Sequence, residues 1–389
     1  MPQVVVVGAG VFGTWTAHHL LAAGCDVTLV DAYGPANPRA SSGDQSRILR
    51  CGYGADEIYS DFARRSVGQW KALQERTGLP IFHPCGVLLL ADAADPYAIA
   101  TRQTLESGGY GVDVLEPAQL HARYPHLDAA DVSMTLLEPQ CGVLMARRAV
   151  RALASELVRS GVRLVHAKAA PMEPSGTLRA IELAGSSALG GERVVFGALG
   201  SDAFVFACGP WLPSVLAPSL AGLIRPTRQT VVYFGTPPGD ERFGPAHTPA
   251  WIDRPARIYG IPDLEDAGLK VGIDEHGPPI DPDTEDRVPT PEIIARARAW
   301  VERRFPAMKG APVIGTRICQ YENTSNGDLL IDRHPHYDNV WVVGGGSGHG
   351  FKHGPVVGEL AANLVLTGAQ THPRLSFESK GTHAARTVY

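Results

Sequence analysis

The chain reads as an α/β protein: a discontinuous, Rossmann-like dinucleotide-binding domain of parallel strands and helices, with a mainly antiparallel β domain inserted into it twice. Three observations predict this. A glycine-rich loop joins a strand to a helix within residues 3–31. Further strand–helix units recur in the middle and at the end of the chain. The segments between them instead alternate short apolar runs with Pro, Gly and Asp.

Gln3 to Val7 is a β-branched apolar run and reads as a buried strand. Gly8-Ala9-Gly10-Val11-Phe12-Gly13 follows at once, then a helix to Ala23, stopped by Gly24. Asp26 to Val30 is a second strand, with Asp31 at its end, 18 residues beyond Gly13 and near the ~20 expected of a ribose-binding acid. Gly8 permits the tight turn, Gly10 lets the backbone approach a pyrophosphate, and Gly13 lets helix and strand pack closely. The helix N-terminus turns its partial positive charge toward phosphates. The motif alone leaves FAD and NAD open.

Val150, Leu153, Leu157 and Val158 form a helical stripe closed by Gly161, followed by a strand at Val162 to Val165. Phe204 to Ala207 is another buried strand, leading into Cys208-Gly209-Pro210. Val340 to Val343 runs into a second glycine loop, Gly344 to Gly350, and a helix marked by Val356, Val357, Leu360, Ala361 and Leu364. One helix interrupts the β segments, with Thr290 as cap, Pro291 in its first turn, and Ile293, Ile294, Ala297, Trp300 and Val301 on its face. The division expected is 1–82, 142–215 and 314–389 for the nucleotide domain and 83–141 and 216–313 for the substrate domain. The tail after Gln370 is polar and is expected along the surface.

Composition narrows the classes. The chain has 389 residues, 44% hydrophobic, with 43 glycines and 31 prolines, too few for a disordered chain. A net charge of −5 without a run of like charge argues against nucleic-acid binding. No apolar stretch approaches the ~18 residues of a membrane span. The start lacks the basic region of a signal peptide, and the chain ends Thr387-Val388-Tyr389 rather than in a peroxisomal Ser-Lys-Leu. The six cysteines form no Cys-x-x-Cys pair or zinc pattern and read as buried thiols of a reducing, cytoplasmic protein, with no metal site expected.

Chemistry-bearing residues cluster in a few places. Backbone N–H groups of Gly344 to Gly350 suit a site where negative charge develops, such as the pyrimidine edge of a flavin. Arg47 and Arg50 follow a Ser-Ser-Gly-Asp turn, and a guanidinium suits a carboxylate. Lys270 sits among strand-forming residues, and Asp274, four residues on, shares its face because the strand period is two.

The chain resembles the monomeric sarcosine oxidase family of D-amino-acid-oxidase-like flavoproteins over nearly its whole length. The matching segments include Val6 to Gly10, Arg47-Ile48-Leu49-Arg50, Tyr53-Gly54, Arg228 to Val232, Gly268 to Gly272, Ile280 to Thr284, Ile331 to Pro335 and, most specific, Gly345 to Lys352. The resemblance implies FAD, tethered by a thioether from Cys319 to the flavin 8α-methyl group. It implies that Arg50 and Lys352 bind a substrate carboxylate, that Lys270 lies on the oxygen side of the flavin, and that Arg47 lies beside the ring. Tyr259 and Tyr321 match active-site tyrosines, and Ser46 a cofactor-contacting hydroxyl. The cofactor-facing set becomes Gly8, Gly10, Val11, Phe12, Gly13, Asp31, Ala32, Ser42, Ser46, Arg47, Ala169, Cys208, Gly209, Cys319, Gly346, Gly348, His349, Gly350, Phe351 and Lys352.

Two departures stand out. Asp274 replaces the family's active-site histidine, and Ser42-Gly43-Asp44-Gln45 lacks the histidines often found there. An acid at 274 resembles relatives that act on cyclic imino acids or sugar-modified amino acids. The implied reaction is oxidation of a secondary amino acid, N-substituted or cyclic, to an imine, with O2 reduced to H2O2 by a monomeric enzyme. Trp251, Asp253 and Asp274 are the specificity candidates. The rival readings are oxidation of fructosyl amino acids, a nicotinamide dehydrogenase, and a flavin protein that passes electrons to a partner.

Overall fold

A computed structural model describes residues 1–170, 176–186, 193–217, 219–220, 222–370 and 372–381. Its first sheet has six strands in the order Leu330–Arg333, Val340–Gly344, Ala203–Phe206, Gln3–Val7, Asp26–Asp31 and Arg163–His166. All neighbours are parallel except the first pair. Alternate side chains of Gln3–Val7 serve two cores, as the strand period requires. Val4 and Val6 pack with Trp15, Leu153 and Val356 of the helices Val11–Ala22, Ala146–Arg159 and Gly354–Thr367. Val5 and Val7 pack with Ala169, Ile181 and Leu183 of a three-stranded sheet on the opposite face.

The tight first turn depends on two glycines. Gly8 has φ +106°, and a Cβ there would lie 2.3 Å from Ala207 O. A Cβ at Gly13 would lie 1.7 Å from Gly8 O, so helix and strand meet at backbone contact. The helix end predicted at Gly24 has φ +86°, and the helix Gly354–Thr367 likewise ends at Gly368 with φ +71°.

The second large sheet has eight strands, in the order Val313–Thr324, Ile224–Phe234, Leu269–Ile273, Ile258–Ile261, Ala250–Asp253, Val87–Ala91, Met134–Glu138 and Asp113–Leu115. Its neighbours are antiparallel except Ala250–Asp253 with Val87–Ala91. One face packs on the helix Pro291–Arg304 through Val232, Phe234, Trp251, Val271, Trp300 and Val301. The other face, with Val231, Ile252 and Tyr259, fronts a cleft.

Several local features differ from the sequence expectation. Residues 83–141 contain two helices, Pro96–Ser107 and Pro117–Arg123. Each starts with proline in its first turn behind an acidic cap: Asp95 accepts from Tyr97 N, and Glu116 forms a capping box with Gln119. Val313–Thr324, on the nucleotide side of the expected boundary at 313/314, pairs along its length with Ile224–Phe234 in the eight-stranded sheet. The tail is more than a surface strap. Leu375 is fully buried, and Arg374 bridges Asp56 and Asp328. Its end, 382–389, lies outside the described residues.

Trp251 and Asp253, expected as specificity candidates, do not line the cleft. They face the helix side of their strand, while Ile252 between them faces the cleft. Trp251 stacks on Trp300 with ring centroids 5.4 Å apart. Asp253, fully buried, accepts from Trp300 Nε1 at 2.9 Å and pairs with Arg304 at 2.8 Å. Arg304 is itself 2% exposed. Asp253→Ala leaves that guanidinium with the half-exposed Asp131 as its remaining carboxylate, besides the Asp128 carbonyl. We expect it to lose about 3 kcal/mol of stability, read as a lower urea midpoint at unchanged slope; a midpoint equal to wild type contradicts the account.

Candidate active site

The cleft opens at the carboxyl ends of the parallel strands, where open α/β sheets place their ligands, and is walled on its far side by the eight-stranded sheet. Its empty volume, counted to the mouth, is about 1660 Å³.

At the nucleotide end, Gly8, Gly10, Val11, Phe12, Asp31, Ala32, Ser42, Ala169, Cys208 and Gly209 line the wall. Ser42 Oγ accepts from Val11 N at 3.1 Å, while Phe12 and Gly13 N–H have no intrahelical partner. Asp31 accepts from Ala9 N at 2.7 Å and Tyr33 N at 2.8 Å, and the Gly34 N–H also draws on it. A carboxylate offers about four lone-pair sites, which leaves room for a ribose hydroxyl. Tyr33, Lys168 and Trp211, not foreseen from sequence, also line this end, and all three donate to Asp283 of the inserted segment.

Mid-cleft, Gln320 and Glu322 present buried oxygens, Gln320 Oε1 and Glu322 Oε2, that have no protein partner. Such orphans call for a polar ligand, and together with the helix N-terminus they fit the hydroxylated chain of FAD. Burial pushes Glu322 up to about 7 against the pull of Gly346 and Gly345 N–H. Ser347 N–H donates to Glu322 O at 3.2 Å and holds the loop to this strand. Gly346, Gly348, His349, Gly350, Phe351 and Lys352 do line the cleft.

Beside Cys319 lies a buried charge cluster. Arg47 Nη2 donates to Cys319 Sγ at 3.4 Å and Arg47 Nη1 to Asp44 Oδ2 at 3.0 Å. Lys270 Nζ donates to the same Asp44 oxygen at 2.5 Å and to Ser46 O at 2.8 Å, and Tyr233 Oη donates to Asp44 Oδ1. Burial alone would raise Asp44, but Lys270 and Arg47 overturn this and hold it far below the carboxylate range. Burial pulls Lys270 down and Asp44 opposes it. Lys270 and Ser46 sit behind the wall, not on it, and Gly13 is packed into the first turn. Ser46 acts there through its carbonyl, which accepts from both cations.

At the remaining end Arg50, Lys352, Asp274, Tyr259 and Tyr321 share the lining with Ile48 and Ile252. Arg50 Nη1 donates to Tyr97 Oη at 3.1 Å, and Lys352 Nζ to His349 O at 2.9 Å. Burial raises Asp274 to about 7, with Arg50, Lys352 and Arg254 pulling it back. Burial likewise keeps the Tyr259 phenol neutral. Asp274 lies just past the strand Leu269–Ile273 on the side that Lys270 faces, as the period of two predicts. Elsewhere Cys51, Glu138 and Cys141 meet in the core, where Glu138 accepts from Cys51 N, Gly52 N and Cys141 Sγ.

No helix among the described residues is long and apolar enough to cross a membrane. Residues 3–364 match the family described as FAD dependent oxidoreductase (DAO). The monomeric sarcosine oxidase of Bacillus sp. (strain B-0618) is 30% identical over 95% of this chain and 93% of its own. The N-methyl-L-tryptophan oxidase of Yersinia pestis is 27% identical over 92% and 94%. Among solved structures, L-proline dehydrogenase from P. horikoshii superposes with TM-score 0.80 at 21% identity, covering 96% of this chain and 95% of that one. Fructosyl peptide oxidase from E. terrenum gives 0.81 at 20%, covering 100% and 93%. With the glycine turn, a cleft at the carboxyl ends of the parallel strands and a family match spanning both sheets, this chain belongs to the DAO family of FAD dependent oxidoreductases.

Proposed function

We propose that the protein is a monomeric, cytoplasmic FAD-dependent oxidase of secondary amino acids, N-substituted or cyclic, that yields an imine and hydrogen peroxide. The observation that carries the reading is the meeting of Arg50, Lys352 and Asp274 at one end of the cleft. Two cations fit a carboxylate, and an acid poised near neutrality fits the amine beside it. The oxidase names of the Bacillus and Yersinia relatives support the same chemistry.

Bound FAD supplies the acceptor for two electrons from the carbon next to nitrogen and passes them to dioxygen. Arg50 and Lys352 hold the substrate carboxylate and so orient the C–H bond. Asp274, as carboxylate, accepts the ammonium proton, which frees the nitrogen lone pair to form the C=N bond. Tyr259 and Tyr321 close the pocket, and apolar Ile48 and Ile252 exclude water. Water then hydrolyses the released imine. Cys319 is the tether, and the Arg47 guanidinium that donates to its sulfur holds it in place at the cleft wall. Lys270, held charged by Asp44, favours negative charge developing on oxygen.

Peroxide release is to be measured over sarcosine, pipecolate, proline, N-methyltryptophan and fructosyl amino acids. The expected result is turnover of at least one, with yellow colour that stays with acid-precipitated protein and leaves it in Cys319→Ser. Dye reduction without peroxide points to the electron-passing reading, and turnover of none overturns the proposal. Asp274 sets the acid limb: below about pH 7 it is protonated, so kcat/KM falls roughly tenfold per pH unit. In Asp274→Asn the limb disappears and the rate at pH 8 drops about a hundredfold. Lys270→Met should slow reoxidation by oxygen about a hundredfold while anaerobic reduction by substrate changes little; equal effects on both steps refute the oxygen-side role.

A further inference from the structure

Behind the carboxylate end, one buried aromatic touches both cations. Tyr53 is 2% exposed. The Arg50 guanidinium carbon lies 4.2 Å from its ring centroid, within cation–π range. The Lys352 ammonium donates to its hydroxyl at 2.7 Å. Arg50 ends the run Arg47-Ile48-Leu49-Arg50, while Lys352 comes 302 residues later from the second glycine loop.

We propose that Tyr53 is the positioning residue that aims both carboxylate-binding cations, Arg50 through its ring face and Lys352 through its hydroxyl. The inference rests on the reading that these two cations take a substrate carboxylate.

The hydroxyl is held in a defined hydrogen-bond direction. His349 Nε2 lies 3.0 Å from Gly327 O, and a carbonyl only accepts, so Nε2 carries the proton and Nδ1 is bare. Tyr53 Oη lies 3.3 Å from that Nδ1 and 2.8 Å from His353 Nε2. If the phenol donates to His349 Nδ1, its oxygen can accept from both Lys352 and His353 Nε2–H. His353 Nδ1, which has no partner, is then only a bare acceptor. The reverse assignment leaves a buried His353 N–H unsatisfied, which is the costlier defect. The better network turns the oxygen lone pairs toward Lys352.

Charge explains why a phenol suits this place. Burial keeps Tyr53 un-ionised, and burial with the nearby Lys352 keeps His353 neutral. A carboxylate at position 53 would pair with the cations and cancel the field that attracts the substrate. The phenol fixes them without adding a charge of its own; burial and Arg50 pull Lys352 well down, and Asp274 opposes that pull, as a ligand carboxylate would. Tyr97, which accepts from Arg50, is a second neutral phenol on the other flank.

The test uses the FAD-loaded enzyme and two variants. Tyr53→Phe keeps the ring under Arg50 and deletes the contact to Lys352, whereas Tyr53→Leu removes both. Acetate binding is read from perturbation of flavin absorption, and KM and kcat are compared for an N-methyl amino acid and its decarboxylated amine. Tyr53→Phe should weaken acetate about tenfold and raise KM for the amino acid to match, with the change falling on KM rather than kcat. The decarboxylated amine should be unaffected. Tyr53→Leu should weaken acetate further, and Lys352→Met should gain no extra defect when combined with Tyr53→Phe. Unchanged acetate binding in Tyr53→Phe, or equal losses for acid and amine, overturns the positioning role. A wild type that binds no acetate and treats acid and amine alike removes the carboxylate reading and this inference with it. Should Tyr53→Leu fail to fold, the Phe variant and its combination with Lys352→Met decide alone.

Discussion

Asp44 is the interaction on which the reactive end depends. Arg47 and Lys270 are cations packed against a cleft wall, and moving such charges out of water is costly unless a partner compensates. One carboxylate serves both, with Tyr233 fixing its other oxygen. The cluster keeps a surplus of one positive charge next to Cys319. A neutral cluster would have no preference for anions, and an unpartnered pair of cations would be pushed to lose a proton from the lysine. Sharing one acid between two bases gives a buried cation that stays charged.

A similar balance recurs at the substrate end with the signs arranged differently. Arg50 and Lys352 outnumber Asp274, and each depresses the acid while burial raises it. The result is a carboxyl near neutrality, able to exchange a proton, beside cations whose neighbours Tyr53 and Tyr97 are uncharged. Asp44, held far below the usual range, is locked in one state. Two buried acids in one cleft are thus driven in opposite directions by their neighbours, one locked as a carboxylate and one raised to near neutrality.

What was legible in the sequence was what is local. The first turn announces itself because Gly8 and Gly13 meet at backbone contact and Asp31 must follow one strand later. The parity of Lys270 and Asp274 could be read because it needs only one strand. Parity also misled where its phase was unknown: Trp251 and Asp253 share a face, but only packing against Trp300 and Arg304 reveals that it is the wrong one. The resemblance to sarcosine oxidases supplied residues on opposite sides of the cleft. Asp44 and Glu322 escaped because a carboxylate in a turn or on a strand looks solvated until its distant partners, Lys270 and the Gly345–Gly346 backbone, are placed.

Glu322 also divides the work of the two glycine loops. In the first, the helix begins at once, and its N–H groups point at the cleft with Ser42 taking only one of them. In the second, Gly345 with φ +69° and Ser347 with φ +43° fold the backbone back on Glu322 before the helix begins. That bend lets Ser347 N–H donate to Glu322 O and Ser347 Oγ accept from Thr324 N, which ties the loop to the strand that carries Cys319. The loop is thereby held against the same strand as the thiol. A flexible glycine loop could line the same wall, but it could not fix its distance from Cys319; the serine bonded at both its backbone and its hydroxyl makes glycine's freedom compatible with a defined site.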